Sequence, residues 1–453
     1  MNRLFFFALI ALTSQLPAAT YFVRTDGNNA CNGAVDAPGS SGNCAKRTIQ
    51  AGINLAFAGD TVIVHAGSYA ETLTSRNNGS SDSLITFKAY TGEVVSTNRI
   101  DIPNNYIVLD GFTITQSGGF TAAGIHITGN HEQIRNNIIR GNCNTCIGGE
   151  GACTGLSDYG TGGNLISNNT WDGLTNGAGT AFGQAIYTEA TTSGDQITHN
   201  IIKDVNTPGR LFELYGTNHD IAHNEVRHVT DAGCTSVHTD LFQCFSTASK
   251  NMVIEDNYFH DLQSQYVMLA DNGSPAGTES YWTFRNNIFA NINHAGFIKA
   301  QHIVFYNNTF FNVGPGPGTN PLVWSTDIEG HGEYGAFINN ILVTTSDQGI
   351  ASDGTTIANN YFGTLSYGSY NAPSGAPYVD GGNPQFAAAY TNCVSNSCNF
   401  HIGSSSVVKA QGQDLSTLFT TDYEGTTRAG TWDLGAYEYP KEAAPTNLTA
   451  IVK

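Results

Sequence analysis

Five short segments in the middle of the chain place polar residues at alternate positions between apolar ones. They read AIYTE, LFELY, LFQCF, YVMLA and GFIKA, over residues 185–189, 211–215, 241–245, 266–270 and 296–300. If each segment is a strand, alternation turns one set of side chains toward a core and the other set outward. The inward set contains Ile186, Phe212, Phe242 and Ile298, and the outward set contains Tyr187, Glu189, Glu213, Tyr215, Gln243 and Lys299. We expect the outward set to share one surface.

Two further features lie beside these segments, namely Arg210 and the phrase HTDLFQ over residues 238–243. On an extended strand His238 and Asp240 share a face, and a bend is needed to bring Gln243 to the same face. We expect such a bend in the loop before the strand. The alternative is that His238 and Asp240 form a structural hydrogen bond that closes this loop.

These residue types suit the cleavage of a uronic-acid polymer by β-elimination. That reaction needs a cation to neutralise the carboxylate, a base for the adjacent proton and an acid for the leaving oxygen. We assign catalysis to Arg210, Glu213, His238, Asp240 and Lys299, and substrate binding to Tyr187, Glu189, Tyr215 and Gln243. Glu213 with Asp240 also offers hard oxygen ligands to Ca²⁺, the one cofactor that the sequence suggests. Lys299 can equally be an ordinary solvated residue.

Two other functions are consistent with the same surface. A glycoside hydrolase would use Glu213 with Asp240, or Glu189 with Glu213, as its acid and base. Adjacent coils of a solenoid bring carboxylates near the roughly 5 Å or 6.5–9.5 Å separations that retaining and inverting mechanisms require. A non-catalytic adhesin would bind a glycan through aromatic rings and carboxylates. Of the three, a polysaccharide lyase is the preferred hypothesis.

The element that must position these residues is a bend that recurs nine times. Each copy ends in an asparagine that follows an apolar residue by three places, and these asparagines are Asn137, Asn169, Asn200, Asn224, Asn257, Asn287, Asn308, Asn340 and Asn360. Their spacings are 32, 31, 24, 33, 30, 21, 32 and 20 residues. A period in the low twenties with insertions is typical of a parallel β-solenoid whose stacked Asn side chains form a ladder. We therefore predict an all-β parallel β-helix of roughly a dozen coils.

Both ends of the chain carry more specific phrases. They are YFVRTDG (21–27), TIQAG (48–52), AGDTVIVHAGSY (58–69), ITFKAY (85–90), DYEG (422–425), Arg428 and WDLGAYEY (432–439). These phrases resemble the opening and closing segments of secreted right-handed parallel β-helix proteins of the pectate-lyase-like superfamily. The resemblance implies one right-handed β-helix domain over residues 20–439 that acts on carbohydrate. The apolar spacing within residues 48–58 also predicts one short helix, which would cap the solenoid because its open end needs a cover.

Composition indicates export and excludes some partners. Residues 1–19 have the charged, apolar and small-residue regions of a signal peptide, so we expect a secreted protein. The net charge of −18, with only 19 Lys and Arg, disfavours nucleic acid or an anionic membrane as partner. We expect a monomer with a polysaccharide substrate. Residues 440–453 are either a frayed tail or a linker that leads to a further module.

The nine cysteines fall in tight groups, which favour local disulfides in an oxidising compartment. Three pairs are predicted: Cys31 with Cys44, Cys234 with Cys244, and Cys393 with Cys398. The middle group of Cys143, Cys146 and Cys153 leaves one cysteine over. Zinc is not expected, since histidines at ligand spacing are missing.

Overall fold

The computed structural model is a right-handed parallel β-helix, which confirms the predicted fold. It describes residues 17–116, 122–141, 154–175, 178–179, 184–205, 209–230, 239–244, 249–269, 280–294, 297–298, 300–314, 323–324, 334–343, 350–351, 356–363, 378–380, 384–388 and 399–440. Successive coils stack their strands in parallel register, so the chain builds three columns. We call them the first, second and third column, in the order in which each coil visits them.

The first column is a sheet of 13 strands within the described residues. Its strands are Thr20–Val23, Thr61–Val64, Ile85–Ala89, Ile107–Asp110, Gln133–Arg135, Leu165–Ser167, Gln196–Thr198, Asp220–Ala222, Val253–Glu255, Thr283–Arg285, Val304–Tyr306, Ala336–Ile338 and Thr356–Ala358.

The second and third columns together form a sheet of 19 described strands. The second column contains Gly67–Thr74, Val95–Ile102, Phe112–Gln116, Ile138–Gly141, Thr170–Asp172, Ile201–Val205, Glu225–Val229, Tyr258–Leu269, Ile288–His294, Thr309–Val313, Ile341–Val343, Asn360–Phe362 and Tyr378–Asp380. The third column contains Ile125–Ile127, Thr154–Asp158, Gln184–Thr188, Arg210–Leu214, Asp240–Cys244 and Phe297–Ile298. The second-column strands Gly67–Thr74, Val95–Ile102 and Tyr258–Leu269 continue into it. Among the described residues, three further strand pairs form separate two-stranded sheets: Leu174–Thr175 with Ala178–Gly179, Val323–Trp324 with Ile350–Ala351, and Phe386–Ala388 with Asn399–Ile402.

The asparagine bends connect the first column to the second and stack as predicted. The Asn257 amide donates to the Asn287 side-chain oxygen at 2.9 Å, and the Asn287 amide donates to Asn308 at 3.0 Å. The same oxygens also accept backbone N–H groups from the preceding coil, as Asn287 accepts from Asn257 at 3.1 Å. The residue before each of these asparagines has a positive φ, between 51° and 62°, at Asn136, Asn168, His199, His223, Asp256, Asn286, Asn307, Asn339 and Asn359. Asn, Asp and His tolerate this left-handed conformation better than most side chains, which explains the composition of the bend.

Apolar side chains fill the interior in stacked rows. The apolar residue of each bend phrase faces the core, and Phe284 stacks on Phe305 with ring centres 4.7 Å apart. In the third column Ile186, Phe212 and Phe242 are fully buried and in register, as the alternation predicts. Repetition of one residue type per row lets each coil pack on the next in the same way.

A second polar ladder crosses the turn that leads from the third column to the first. Its members, Glu132, Asn164, Asp195 and His219, each accept the backbone N–H of the equivalent turn one coil earlier. The N–H of Ile107 donates to Glu132 at 2.5 Å, that of Glu132 to Asn164 at 2.8 Å, that of Asn164 to Asp195 at 2.9 Å, and that of Asp195 to His219 Nδ1 at 3.1 Å. All four side chains are buried. Buried backbone groups therefore find partners on both sides of each coil.

The N-terminal end is capped by one short helix, Ile49–Ile53, inside the predicted range. The Thr48 hydroxyl accepts the N–H of Ala51, and the Glu71 carboxylate accepts the N–H groups of Ile49 and Gln50 at 2.9 and 3.1 Å. The predicted disulfide between Cys31 and Cys44 is present beside this cap. Cys244 is buried, and its predicted partner Cys234 lies outside the described residues, as do Cys393 and Cys398. None of the described helical structure has the length and apolarity to cross a membrane.

Residues 399–440, which we call the closing segment, lie along the outside of the last coils instead of adding coils. Arg428 is fully buried at its centre. Its guanidinium donates to Asn286 Oδ1 at 3.0 Å, to the Gly435 carbonyl at 2.9 Å and to Glu438 at 3.2 Å. Asn307 in the next bend donates to the Asp433 carbonyl at 2.9 Å. The positive-φ bend residues thus hold the closing segment against the solenoid.

Candidate functional site

The outer face of the third column carries the predicted polar residues. The strand register places Tyr187 beside Glu213 and Glu213 beside Gln243, one coil apart. Arg210 lies beside Asp240 in the same two strands. Since adjacent parallel strands are about 4.8 Å apart, these side chains form continuous rows along the solenoid. We call the surface formed by Tyr187, Glu189, Arg210, Glu213 and Tyr215 the third-column surface.

Glu213 is the centre of a hydrogen-bond cluster on this surface. Arg210 Nη1 donates to Glu213 Oε1 at 2.7 Å, and the Tyr215 hydroxyl donates to the same oxygen at 3.0 Å. Gln184 Nε2 donates to Glu213 Oε2 at 2.8 Å, and the Thr154 hydroxyl holds Gln184 in turn at 2.9 Å. Both carboxylate oxygens therefore have partners, and the residue is only 2% exposed. Burial raises the pKa of Glu213, and the Arg210 charge and these hydrogen bonds oppose that rise.

This geometry assigns Glu213 a positioning role. It fixes the guanidinium of Arg210 and the phenol of Tyr215, both of which are more exposed than the carboxylate itself. An arginine held by a buried carboxylate loses less conformational freedom when it binds an anion.

An aromatic row runs along the same face through four coils. Its members are His126, Tyr159, Tyr187 and Tyr215, with ring centres separated by 5.4, 5.5 and 5.8 Å in that order. The Tyr187 hydroxyl donates to Glu189 Oε2 at 2.8 Å. The rings are tilted or edge-to-face relative to one another, so their faces are not all covered by their neighbours. Such a row can contact successive sugars of an extended glycan.

Burial sets the protonation of this row. Burial raises the pKa values of Tyr187 and Tyr215, and the nearby Glu189 and Glu213 charges raise them further. Burial lowers the pKa of His126, whose Nδ1 lies 2.9 Å from the Ser157 hydroxyl oxygen. At neutral pH the row therefore presents neutral phenols and a neutral imidazole.

Sequence reasoning missed His126, Tyr159 and Gln184 at this site. The first two follow the alternation already found in the middle coils, in the segments GIHI (124–127) and TGLSDY (154–159). Extending that alignment two coils toward the N-terminus would have found them. No pattern in the sequence pointed to Gln184, because it lies one position before the segment 185–189.

The other predicted residues are placed as follows. Glu189 is half-buried, and its Oε1 accepts the N–H of Ala190 at 2.9 Å. Asp240 and Gln243 are both buried, at 1% and 2% exposure. His238 and Lys299 lie outside the described residues, so their roles stay predictions.

The residues do not fit the suggested calcium site. Both oxygens of Glu213 accept hydrogen bonds, and the Arg210 cation already lies against one of them. A second cation would have to displace the first, at the cost of a buried ion pair. Within the described part of the chain, no group of three or more His, Cys, Asp or Glu side chains is arranged to hold a metal ion.

Comparisons with known proteins agree with the fold. No family model matches the chain. A curated Bacillus subtilis (strain 168) protein, described as uncharacterized protein YwoF, is 28% identical over 237 residues, which are 46% of this chain and 50% of that protein. The chain thus matches about half the length of this curated relative.

Two solved structures align over almost the whole chain. Pectate lyase Pel9A has a TM-score of 0.50 and 17% identity, covering 93% of this chain and 96% of its own. XylC in complex with xylose has a TM-score of 0.58 and 13% identity, covering 93% and 98%. At these identities the likeness concerns the fold. The chain shares the parallel β-helix fold with both structures, as its sequence predicted.

Proposed function

We propose that the protein is a secreted polysaccharide lyase that cleaves a uronic-acid-containing polymer by β-elimination on the third-column surface. The observation that carries the proposal is the Arg210 guanidinium, held by buried Glu213 beside the Tyr215 phenol. Export is supported by the Cys31–Cys44 disulfide, because such bonds persist in oxidising compartments.

The proposed reaction uses these groups in distinct roles. Arg210 pairs with the uronate carboxylate, which acidifies the adjacent C5 proton. A base removes that proton, the C4–O bond breaks, and a C4–C5 double bond forms. Tyr215, kept neutral by its raised pKa, donates its proton to the leaving oxygen. The base is one of the sequence candidates, His238 or Lys299.

His126 and Tyr159 have a different role in this proposal. His126 lies three strands from the Glu213 strand in the third column, which is roughly 14 Å along the solenoid. That distance exceeds the reach of one reaction centre. These residues would instead contact sugars on one side of the cleaved bond.

The carboxylates of this surface argue against a glycoside hydrolase. A hydrolase needs one carboxyl group to protonate the leaving oxygen and a second to attack or activate water. Both Glu213 oxygens are occupied, Glu189 accepts bonds at both of its oxygens, and Asp240 is buried. The aromatic row favours a second candidate function, which is glycan binding without cleavage.

The test is an activity screen on alginate, pectin, a glycosaminoglycan and neutral glycans. We expect products that absorb in the ultraviolet through their new double bond. Arg210→Met should lower kcat/KM at least about 100-fold, the usual effect of removing a group that stabilises developing charge. Arg135→Met is the matched control, because Arg135 forms a comparable ion pair with Asp110 on the first column. Reducing ends without absorbance would instead indicate a hydrolase, and binding without cleavage an adhesin.

A further inference from the structure

A cavity of about 500 Å³ lies on a different face, between the second column and the closing segment. Its lining includes His199, His223, Glu225, Tyr258, Tyr423 and Tyr437. The volume is within the range of small-molecule sites, and the mixture of rings with a few polar groups is typical of them.

The cavity exists because the closing segment covers only part of the second column. Ile201, Glu225, Tyr258 and Ile288 occupy one outward row in successive coils. Ile288 packs under Phe400 and Tyr437 of the closing segment, and Tyr258 meets Phe400 edge-on at 6.4 Å. Ile201 and Glu225, in the two preceding coils, are only partly buried. The cavity is therefore bounded on one side by Tyr258, Tyr423 and Tyr437, which we call the aromatic wall. The other side is formed by His199, His223 and Glu225, which we call the polar floor.

The wall is rigid. Tyr437 stacks on His401 at 4.0 Å and contacts Tyr423 at 5.2 Å, while Tyr258 stacks on His260 at 4.2 Å. Rings that are fixed in this way can pack against the C–H face of a sugar with little further loss of freedom.

The floor supplies hydrogen-bonding groups. His199 and His223 lie ring against ring at 4.8 Å, and both are exposed. Glu225 is held through Oε1 by Arg227 and by His260, the latter at 3.2 Å. Its Oε2 accepts no hydrogen bond from any described residue, and so remains available to a ligand hydroxyl.

The charges here select against an acidic ligand. Burial raises the pKa of the Tyr423 phenol to about 12, and the nearby Asp256, Glu225 and Glu424 carboxylates add to that rise. Burial, with the neighbouring His199, lowers the pKa of His223, so this residue adds little positive charge at neutral pH. The Arg227 guanidinium is paired with Glu225. Among the described residues, the cavity lining contains the Glu225 carboxylate and no lysine or arginine, so a uronate would find no such cation to pair with, whereas a neutral sugar needs none.

We propose that this cavity binds a neutral monosaccharide unit, at a glycan end or side branch. The sugar ring packs against the Tyr423 and Tyr437 side of the cavity, and its hydroxyls bind Glu225 and the histidine pair. This inference does not depend on the proposed lyase activity, because the third-column surface contributes no residue to the cavity.

The experiment is a titration of the full chain with the methyl glycosides of glucose, galactose, mannose and xylose, and with glucuronate and galacturonate, followed by isothermal calorimetry and saturation-transfer NMR. We expect saturable binding of at least one neutral glycoside and at least tenfold weaker binding of both uronates. Ile201→Trp places a large ring in the part of the second column that the closing segment leaves uncovered, and should abolish binding. His223→Ala should weaken it three- to tenfold. His228→Ala is the matched control, because His228 is a partly exposed histidine of the same column outside the cavity.

Each variant is first checked for an unchanged circular dichroism spectrum and unchanged activity in the polysaccharide screen. Absence of saturable binding to all four neutral glycosides would overturn the proposal. So would binding that survives both Ile201→Trp and His223→Ala, or uronates that bind as well as neutral sugars. A chain that shows no cleavage but binds a neutral glycoside in this pattern would sink the lyase proposal and leave the present one standing.

Discussion

Replacement of Glu132 by glutamine should remove a large part of the pH dependence of stability. Glu132 is 1% exposed, and its Oε2 accepts the N–H of Ile107 at the top of the second polar ladder. Burial raises its pKa to about 9, from an ordinary value of 4.5. Oε1 has no hydrogen-bond partner among the described residues, so the ionised form would be poorly compensated. A glutamine keeps the acceptor and cannot ionise.

The sign and magnitude follow from this difference. A carboxyl group whose folded-state pKa is raised contributes its full stability below pH 4.5, and that contribution is lost as the pH rises toward 9. Between pH 5 and pH 8 the loss is about 3 pH units at ~1.36 kcal/mol each, or at most about 4 kcal/mol. With an unfolding entropy of ~2.1 cal/mol/K per residue over roughly 400 residues, this corresponds to about 5 °C in Tm.

The assay compares Tm at pH 5 and pH 8 for the parent, Glu132→Gln and Asp82→Asn, in which an exposed carboxylate is removed as the control. The other ladder residues are present in all three proteins, so the difference between their pH profiles reports the removal of Glu132. Between pH 5 and pH 8, we expect the Tm of the parent and of the control to fall several degrees more than the Tm of Glu132→Gln. If Tm changed by the same amount between the two pH values in all three proteins, Glu132 would be accessible to solvent, and the reasoning from its burial would be refuted.

Three further changes test how the coils are held together. Asn257→Ala should cost about 2–4 kcal/mol in urea unfolding, because the buried Asn224 N–H and Ile221 carbonyl of the preceding coil lose their hydrogen bonds to its side chain. Arg428→Met should cost about 3–5 kcal/mol by breaking a buried ion pair and the bond to Asn286, and limited proteolysis should cut the closing segment before the coils. Reduction of Cys31–Cys44, which closes a loop of 13 residues, should cost about 3 kcal/mol, seen as faster hydrogen exchange near the cap and unchanged exchange in the central coils.

The asparagine ladder was predictable from the sequence because one residue type satisfies the same need in every coil. The second ladder met an equivalent need with four different residues, Glu132, Asn164, Asp195 and His219, so no repeated letter revealed it. The requirement is only for an acceptor of suitable length. A search for any side-chain acceptor at the coil period, in place of a search for asparagine, would have found it.

The candidate site was partly predictable for a related reason. Alternation predicted which residues of the third column point outward, and the residues predicted to point inward are buried. Leu211 and Leu241, at outward positions of the same alternation, are buried in the core as well. Alternation does not reveal how deeply an outward residue is covered by its neighbours. Glu213 points outward yet is 2% exposed, because Arg210, Tyr215 and Gln184 converge on it from three strand positions. Its role as a positioning residue therefore depends on contacts between coils, which the pattern within one strand cannot show.

The two polar ladders explain how a stack of short strands can present a fixed third-column surface. One ladder fixes the bend after the first column, and the other fixes the turn after the third. His219 joins the second ladder to the site, because its Nδ1 accepts the Asp195 N–H while its Nε2 lies 3.0 Å from the Tyr215 carbonyl oxygen. Only the neutral ring can accept on one side and donate on the other, and burial keeps it neutral by lowering its pKa to about 4. The backbone of Tyr215 is thus held by a group that does not change its charge across the physiological pH range.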